Sequence, residues 1–297
     1  MAPKTPWVRL AGLLCLLPLT LVIACGDDTS GDSGDSGTAT TADADADTDT
    51  DTDTDTDTDT DTDTDADVAG FAITGLGVDL YQGLPSSEGL CLALLDPSPL
   101  LYGQPAEVLD GTLTAETGGF GFQDVVTDSQ LGLILSLADC EGATASVYPT
   151  NTGILPTAYE GLGEGDEVND QIAWSISLTF LGGIQQSMAA AGYASDLAAD
   201  GFVLGFVFDS IGQPDDGVVV GCRECTVYYA DADPSDGLFT TQGALNTATS
   251  AAGGAMWLIP AATLESFTAT SDHATYREQV LGSEAGSATL GMFTADP

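Results

Sequence analysis

The chain has 297 residues, with 46 acidic side chains against four Lys and Arg and one His, for a formal net charge of −42. A polyanion of this strength has no patch with which to neutralise phosphates, so nucleic acid is excluded as a partner. No lysine follows Lys4 and His273 is the single histidine, which removes lysine chemistry from most of the chain and every metal centre that needs two imidazoles.

Lys4 and Arg9 precede an apolar run from Leu10 to Ala24, broken only by Pro18 and Thr20. Residues 1–24 therefore read as an export signal, since the run matches a signal-peptide core and is short for a stable membrane span. The run ends Val22-Ile23-Ala24-Cys25-Gly26, which resembles the lipobox of bacterial lipoproteins. In those proteins the cysteine is diacylated and becomes the first mature residue, so the resemblance implies a lipid anchor at Cys25. Two acyl chains suffice for stable membrane attachment where one is marginal. Residues 25–68 then read as a lipid-anchored disordered stalk. Seventeen acids fall here, nine consecutive Thr-Asp pairs run from Thr48 to Asp65, and aromatic and basic residues are missing. Such a segment cannot bury a core, and like charges at alternate positions hold it extended. Fully stretched it reaches roughly 140 Å, at about 3.3 Å per residue.

Beyond residue 68 the chain keeps 29 acids against Arg223 and Arg277, and 31 glycines. Short apolar and β-branched runs separated by Gly, Asp, Ser and Pro predict strands over Phe71–Tyr81, Gly89–Leu95, Gly111–Ala115, Phe120–Val126 and Leu131–Leu137. Further on, the same pattern predicts strands over Phe202–Asp209, Gly217–Cys222, Thr226–Ala230, Ala255–Ile259, Ser266–Thr270 and Ser287–Thr294. Gly161–Asp170 reads as an inter-domain loop. The spacing of Leu181, Ile184, Met188, Tyr193 and Leu197 predicts a helix within Leu178–Ala199, interrupted at Gly192. The alternation of Ile172, Trp174, Ile176, Leu178 and Phe180 suits a strand equally well and leaves the helix start open. The expectation is a mainly β chain with two β-sandwich domains, 69–160 and 201–297, joined by a loop and helical connector at 161–200.

Gly201–Val220 reads as a strand, a turn with Gly and Pro, and a second strand, and Gly111–Val125 holds Thr-Leu-Thr-Ala-Glu-Thr-Gly-Gly-Phe-Gly-Phe-Gln-Asp. These stretches resemble the opening strands and the later hairpin of carboxypeptidase regulatory-like domains, which have the transthyretin-type sandwich. The whole layout looks like that of myxobacterial surface lipoproteins. The resemblance implies an accessory architectural role and no particular reaction. Zinc carboxypeptidases and intradiol dioxygenases need at least two histidines, and internal Lys-Asn isopeptide bonds need a lysine.

Once Cys15 leaves with the signal and Cys25 is acylated, four cysteines remain: Cys91, Cys140, Cys222 and Cys225. In an exported chain they predict two disulfides, most simply Cys91 with Cys140 and Cys222 with Cys225. Cys222-Arg-Glu-Cys225 has the CxxC form of redox proteins, but strand-like residues flank it where those proteins place a helix start, so a structural bond at a turn or bulge is expected. Asp231, Asp233 and Asp236 ahead of Gly237 resemble a calcium loop but have one residue too many and no closing glutamate; calcium is the only cofactor candidate, with a solvated turn as the plain alternative. Ser271-Asp272-His273 invites a triad reading, yet adjacent side chains do not converge in that way, and an exposed loop histidine is expected. Trp174, Trp257, Tyr228 and Tyr229 are candidates for a sugar platform, with core packing as the default. The expected role is a non-catalytic structural, adhesive or ligand-binding module on the cell envelope, with another envelope protein or a polysaccharide as partner. An extracellular carboxylate-dependent hydrolase such as a glycosidase is the alternative.

Overall fold

Phe202–Phe208 (Phe-Val-Leu-Gly-Phe-Val-Phe) is apolar at every position and buried almost throughout, the pattern of a strand covered on both faces. It lies near the middle of an eight-stranded mixed sheet around which residues 70–231, 237–241 and 244–297, the part described by a computed structural model of the chain, are built. Taken in chain order, the first half supplies β1 (Phe71–Asp79), β2 (Cys91–Asp96), β3 (Glu107–Leu113), β4 (Gly119–Val125), β5 (Leu133–Ala138), β6 (Val147–Tyr148), β7 (Thr150–Ile154) and β8 (Glu167–Ser177). Helices α1 (Leu178–Ala190) and α2 (Leu197–Asp200) follow. The second half supplies β9 (Phe202–Phe208), β10 (Val219–Gly221), β11 (Tyr228–Tyr229), β12 (Thr240–Thr241), β13 (Ala244–Leu245), β14 (Met256–Pro260), β15 (Glu265–Thr270), β16 (Gln279–Leu281) and β17 (Ala288–Thr294).

The large sheet has the order β11-β14-β9-β17-β7-β5-β2-β3, beside smaller sheets β4-β1-β8-β6 and β10-β15-β16. Two sandwiches result. One buries Phe71, Ile73, Leu92, Leu94, Phe122, Leu135 and Ile154 between the four-stranded sheet and the β7-β5-β2-β3 half of the large one. The other buries Val207, Val220, Trp257, Phe267 and Phe293 between the three-stranded sheet and the β11-β14-β9-β17 half. A third cluster sets Leu181, Ile184, Met188 and Leu197 of the helices on Phe202, Leu204, Leu258 and Leu290. Ala288 and Leu290 of β17 pair in parallel with Thr150 and Thr152 of β7, so the helices cover the same face as the first sandwich while the second sandwich occupies the reverse.

The mainly β character and the single principal helix match expectation, but the separation into domains does not. The last strand, β17, pairs in parallel with β7 on one side and β9 on the other, welding the halves into one sheet, and the described residues fall in one compact unit. Nor is 161–170 a loop throughout: β8 starts at Glu167 and pairs in parallel with β1 as far as Ser175. The turns after β3 and after β9 form as read, the second closing on an antiparallel Phe208–Pro214 bridge, but each carries the chain between layers, since β3 and β4 belong to different sheets, as do β9 and β10. Gly118 makes the first crossing possible. It has φ +75°, and a Cβ there would stand 2.8 Å from the Gly77 carbonyl oxygen.

The helix begins at Leu178 with the Ser177 hydroxyl accepting from the Phe180 N–H, a standard N-cap. It ends before Gly192, whose φ of +95° no ordinary residue adopts readily, and Asp196 caps the short α2 by accepting from the Ala198 N–H. The Trp257 ring lies close against Gly205, where a Cβ would be 2.1 Å from the nearest ring atoms, and packs beside Phe267 and Phe293. Among the described residues no helix is long and apolar enough to cross a membrane.

Candidate functional site

Cys25 and the acidic stretch after it lie outside the described residues, as do Asp233 and Asp236. Asp231 is described: its backbone N–H donates to the Leu238 carbonyl, and its carboxylate accepts from the Asn246 side-chain amide at 3.1 Å. Among the described residues no cluster of three or more His, Cys, Asp or Glu gathers at metal-binding distance. Trp257, Tyr228 and Tyr229 are buried in the core, and Trp174 packs on the helix-covered cluster, so these rings do not form one exposed platform.

The structure joins Cys91 to Cys140, with Cα atoms 5.0 Å apart, and Cys222 to Cys225, 5.8 Å apart. The first ties the start of β2 to the segment after β5, spanning 49 residues; the second spans three, in the bend between β10 and β11. On the chain-entropy account the longer closure contributes about 4 kcal/mol to folding and the shorter about 2. Each borders a surface depression. One, of about 310 Å³, is lined by Gly221, Cys222, Arg223, Glu265, Ser266 and Thr268. The other, of about 420 Å³, lies on the uncovered outer face of β2, β3 and β5, beside Cys91, Ala93, Leu113 and Ser136.

The densest ionisable cluster is one that sequence reasoning missed. Asp215, in the β9–β10 connection, is only 8% exposed. Its Oδ2 accepts from the Tyr276 hydroxyl, its Oδ1 lies 2.8 Å from His273 Nε2, and the same oxygen accepts from the Asp216 N–H at 2.9 Å. The other imidazole nitrogen, Nδ1, lies 3.0 Å from Asp272 Oδ1. With a carboxylate at each nitrogen, the doubly protonated ring can donate to both.

The charges respond accordingly. Burial pushes the Asp215 carboxyl up, but the bonds from Tyr276 and His273 and the imidazolium charge outweigh it, so the net shift is downward. His273 is raised by its bonds to Asp272 and Asp215, against the opposing effect of desolvation. The Tyr276 hydroxyl is raised by burial, then by its hydrogen bond to Asp215 and by that carboxylate's charge.

Ser271 is not the partner of either imidazole nitrogen. Its Oγ accepts from Ala274 N–H at 2.9 Å and donates to the Ala274 carbonyl, closing its own turn. Both imidazole nitrogens face carboxylates, so among the described residues the group is a clasp between two loops, proton-linked but without the geometry of a triad. His273 itself is half exposed, its side chain at 48%, as a loop histidine was expected to be. Its partner Asp215 is 58 positions away, and no local spacing signal connects the two.

No protein-family model and no curated protein matches the chain. Among solved structures it is similar to the Bacillus anthracis TIE protein, at 10% identity and TM-score 0.22, over 76% of this chain and 34% of that one. It is also similar to the shaft pilin spaA from Lactobacillus rhamnosus GG, at 7% identity and TM-score 0.21, covering 76% and 98% of the two chains. A third likeness is to a Streptococcal ancillary pilin, at 10% identity and TM-score 0.22, covering 76% and 62%. The chain thus spans about a third of the Bacillus anthracis protein's length. At TM-scores this low the likeness assigns no function and no partner.

Proposed function

We propose that the chain is a non-catalytic β-sandwich module displayed outside the cytoplasm, anchored through acylated Cys25 and held off the lipid by residues 26–68. The observation that carries this reading is the pair of disulfides, Cys91–Cys140 and Cys222–Cys225, because such bonds form and persist in oxidising compartments. The lipobox-like Val22–Gly26 and the Thr-Asp tract that follows support the anchor and the spacer. The resemblance to carboxypeptidase regulatory-like domains supports an accessory role, structural, adhesive or ligand-binding, with an envelope protein or a polysaccharide as partner. The anionic body disfavours anionic lipid surfaces and keeps the module soluble at the end of its stalk.

The test is expression of the full chain in a bacterium that processes lipoproteins, followed by detergent-phase partitioning and mass spectrometry of the mature N-terminal peptide. The expected result is a mature chain beginning at Cys25 with two or more acyl chains, recovered with the membranes, and a Cys25→Ala variant recovered in the soluble fraction. A parent protein found in the cytosol with its signal uncleaved and its four body cysteines free to alkylation would sink the reading.

A further inference from the structure

The two disulfides differ in what their opening would disturb. Cys91 lies within β2, opposite Ala138 of β5 and Leu113 of β3, and its bond closes a 49-residue span. Cys222 and Cys225 lie beyond the end of β10 and before β11, three residues apart, so opening their bond removes no strand pairing and frees a very short loop. The folded body can therefore persist with this pair reduced.

Their surroundings differ as well. Arg223 lines the depression that exposes Cys222, and it is one of only two basic residues beyond residue 68. Glu265 shares that wall, and its Oε2 accepts the Arg223 backbone N–H at 3.0 Å, fixing the loop against β15. The depression at Cys91 is lined by apolar, glycine, hydroxyl and cysteine residues, with no charge among them. An attacking thiolate is an anion, and most of this polyanionic surface repels it; the Arg223 guanidinium beside Cys222 offsets part of that repulsion, against the charges of Glu224 and Glu265 at the same loop.

We propose that Cys222–Cys225 is an exchange-active disulfide that accepts electrons from a dithiol, with Cys222 as the sulfur attacked and Arg223 drawing the donor in, while Cys91–Cys140 remains closed. In the first step a donor thiolate bonds to Cys222 Sγ, the Cys222–Cys225 bond breaks, and its electron pair leaves on Cys225 Sγ, which takes a proton from water. In the second step the donor's other thiol, having lost its proton, attacks the donor sulfur of the mixed disulfide and expels Cys222 as thiolate. The donor is oxidised by two electrons to its own disulfide, and Cys222 and Cys225 become two thiols.

The test uses the mature full-length protein in detergent, with dithiothreitol as the dithiol. Samples are quenched by alkylation and the labelled cysteines are located by peptide mass spectrometry, while circular dichroism follows the fold. Cys222 and Cys225 are expected to label at least about tenfold faster than Cys91 and Cys140, with the β signal and a cooperative melt retained, and oxidised glutathione, added after the dithiothreitol is removed, is expected to close the pair again. Arg223→Ala should slow labelling several-fold at low salt, with the difference shrinking as salt screens the charge, and Arg223→Lys should keep most of the rate. A Cys222→Ser/Cys225→Ser double variant should fold and lose the fast phase. One common rate for both pairs, labelling only in step with loss of the β signal, or an Arg223→Ala rate equal to the parent's overturns the proposal.

Discussion

Asp215 shows how one buried carboxylate can couple two loops that are distant in sequence. It is held by Tyr276 and His273 from the β15–β16 connection and by its own neighbour's N–H, so its charge stays satisfied out of water. Because His273 is raised in the folded state, its contribution to stability is complete below the ordinary histidine value of about 6.5 and is lost as pH rises through the higher folded value. Asp215 is lowered from 3.8, so its contribution is present above that value and fades as pH falls through the depressed one. His273→Gln should therefore lower the melting temperature at about pH 6 and converge on the parent as pH rises through the raised folded value. Parallel melting curves for the two proteins across that range would show that the clasp does not titrate in the folded state. The histidine itself was legible as an exposed loop residue, whereas its buried partner was not, because hydrogen bonds between distant loops leave no periodicity behind.

At the scale of elements, what could be read from sequence followed burial on alternate or on all positions. The apolar run of β9 and the Leu181, Ile184 and Met188 spacing of α1 are local signals, and both elements form where expected. β8 was obscured because its first residues, Glu167 to Gln171, are largely exposed and polar, and its partner strand β1 lies far upstream. The turns at Gly118 and after β9 were legible as reversals, but turn residues say nothing about which sheet the next strand joins. Gly118 and Gly83 offer a controlled comparison, since both have positive φ, +75° and +64°, but only Gly118 has a neighbour within contact of a Cβ. Gly83→Ala should cost about 1–2 kcal/mol, the backbone penalty alone. Gly118→Ala should cost clearly more in a denaturant titration, because the Gly77 carbonyl cannot withdraw without disturbing β1. Equal losses would mean that the layer crossing relaxes freely.

For the molecule as a whole, strand content, the disulfide pairs and charge were legible, but the joining of the two halves was not, because it depends on β17 slotting in parallel between β7 and β9. A parallel pairing needs a long crossover and leaves no turn signal adjacent in sequence. Putting both halves on one sheet also gathers the acids of both onto one body, 29 against Arg223 and Arg277. Self-repulsion at that density opposes compaction, and salt relieves it. Raising ionic strength from about 0.01 M to about 1 M shortens the screening length from about 30 Å to about 3 Å, which is less than most separations between surface charges. The melting temperature of residues 69–297 with disulfides intact should therefore climb with added sodium chloride at neutral pH. The climb should flatten as the solution is acidified toward the ordinary carboxylate range, where the same acids lose their charge. A neutral-pH melting temperature that falls with salt would instead mean that attractive pairs such as His273 with Asp215 outweigh the repulsion. The clasp would then be a larger share of the fold's stability than two loops would suggest.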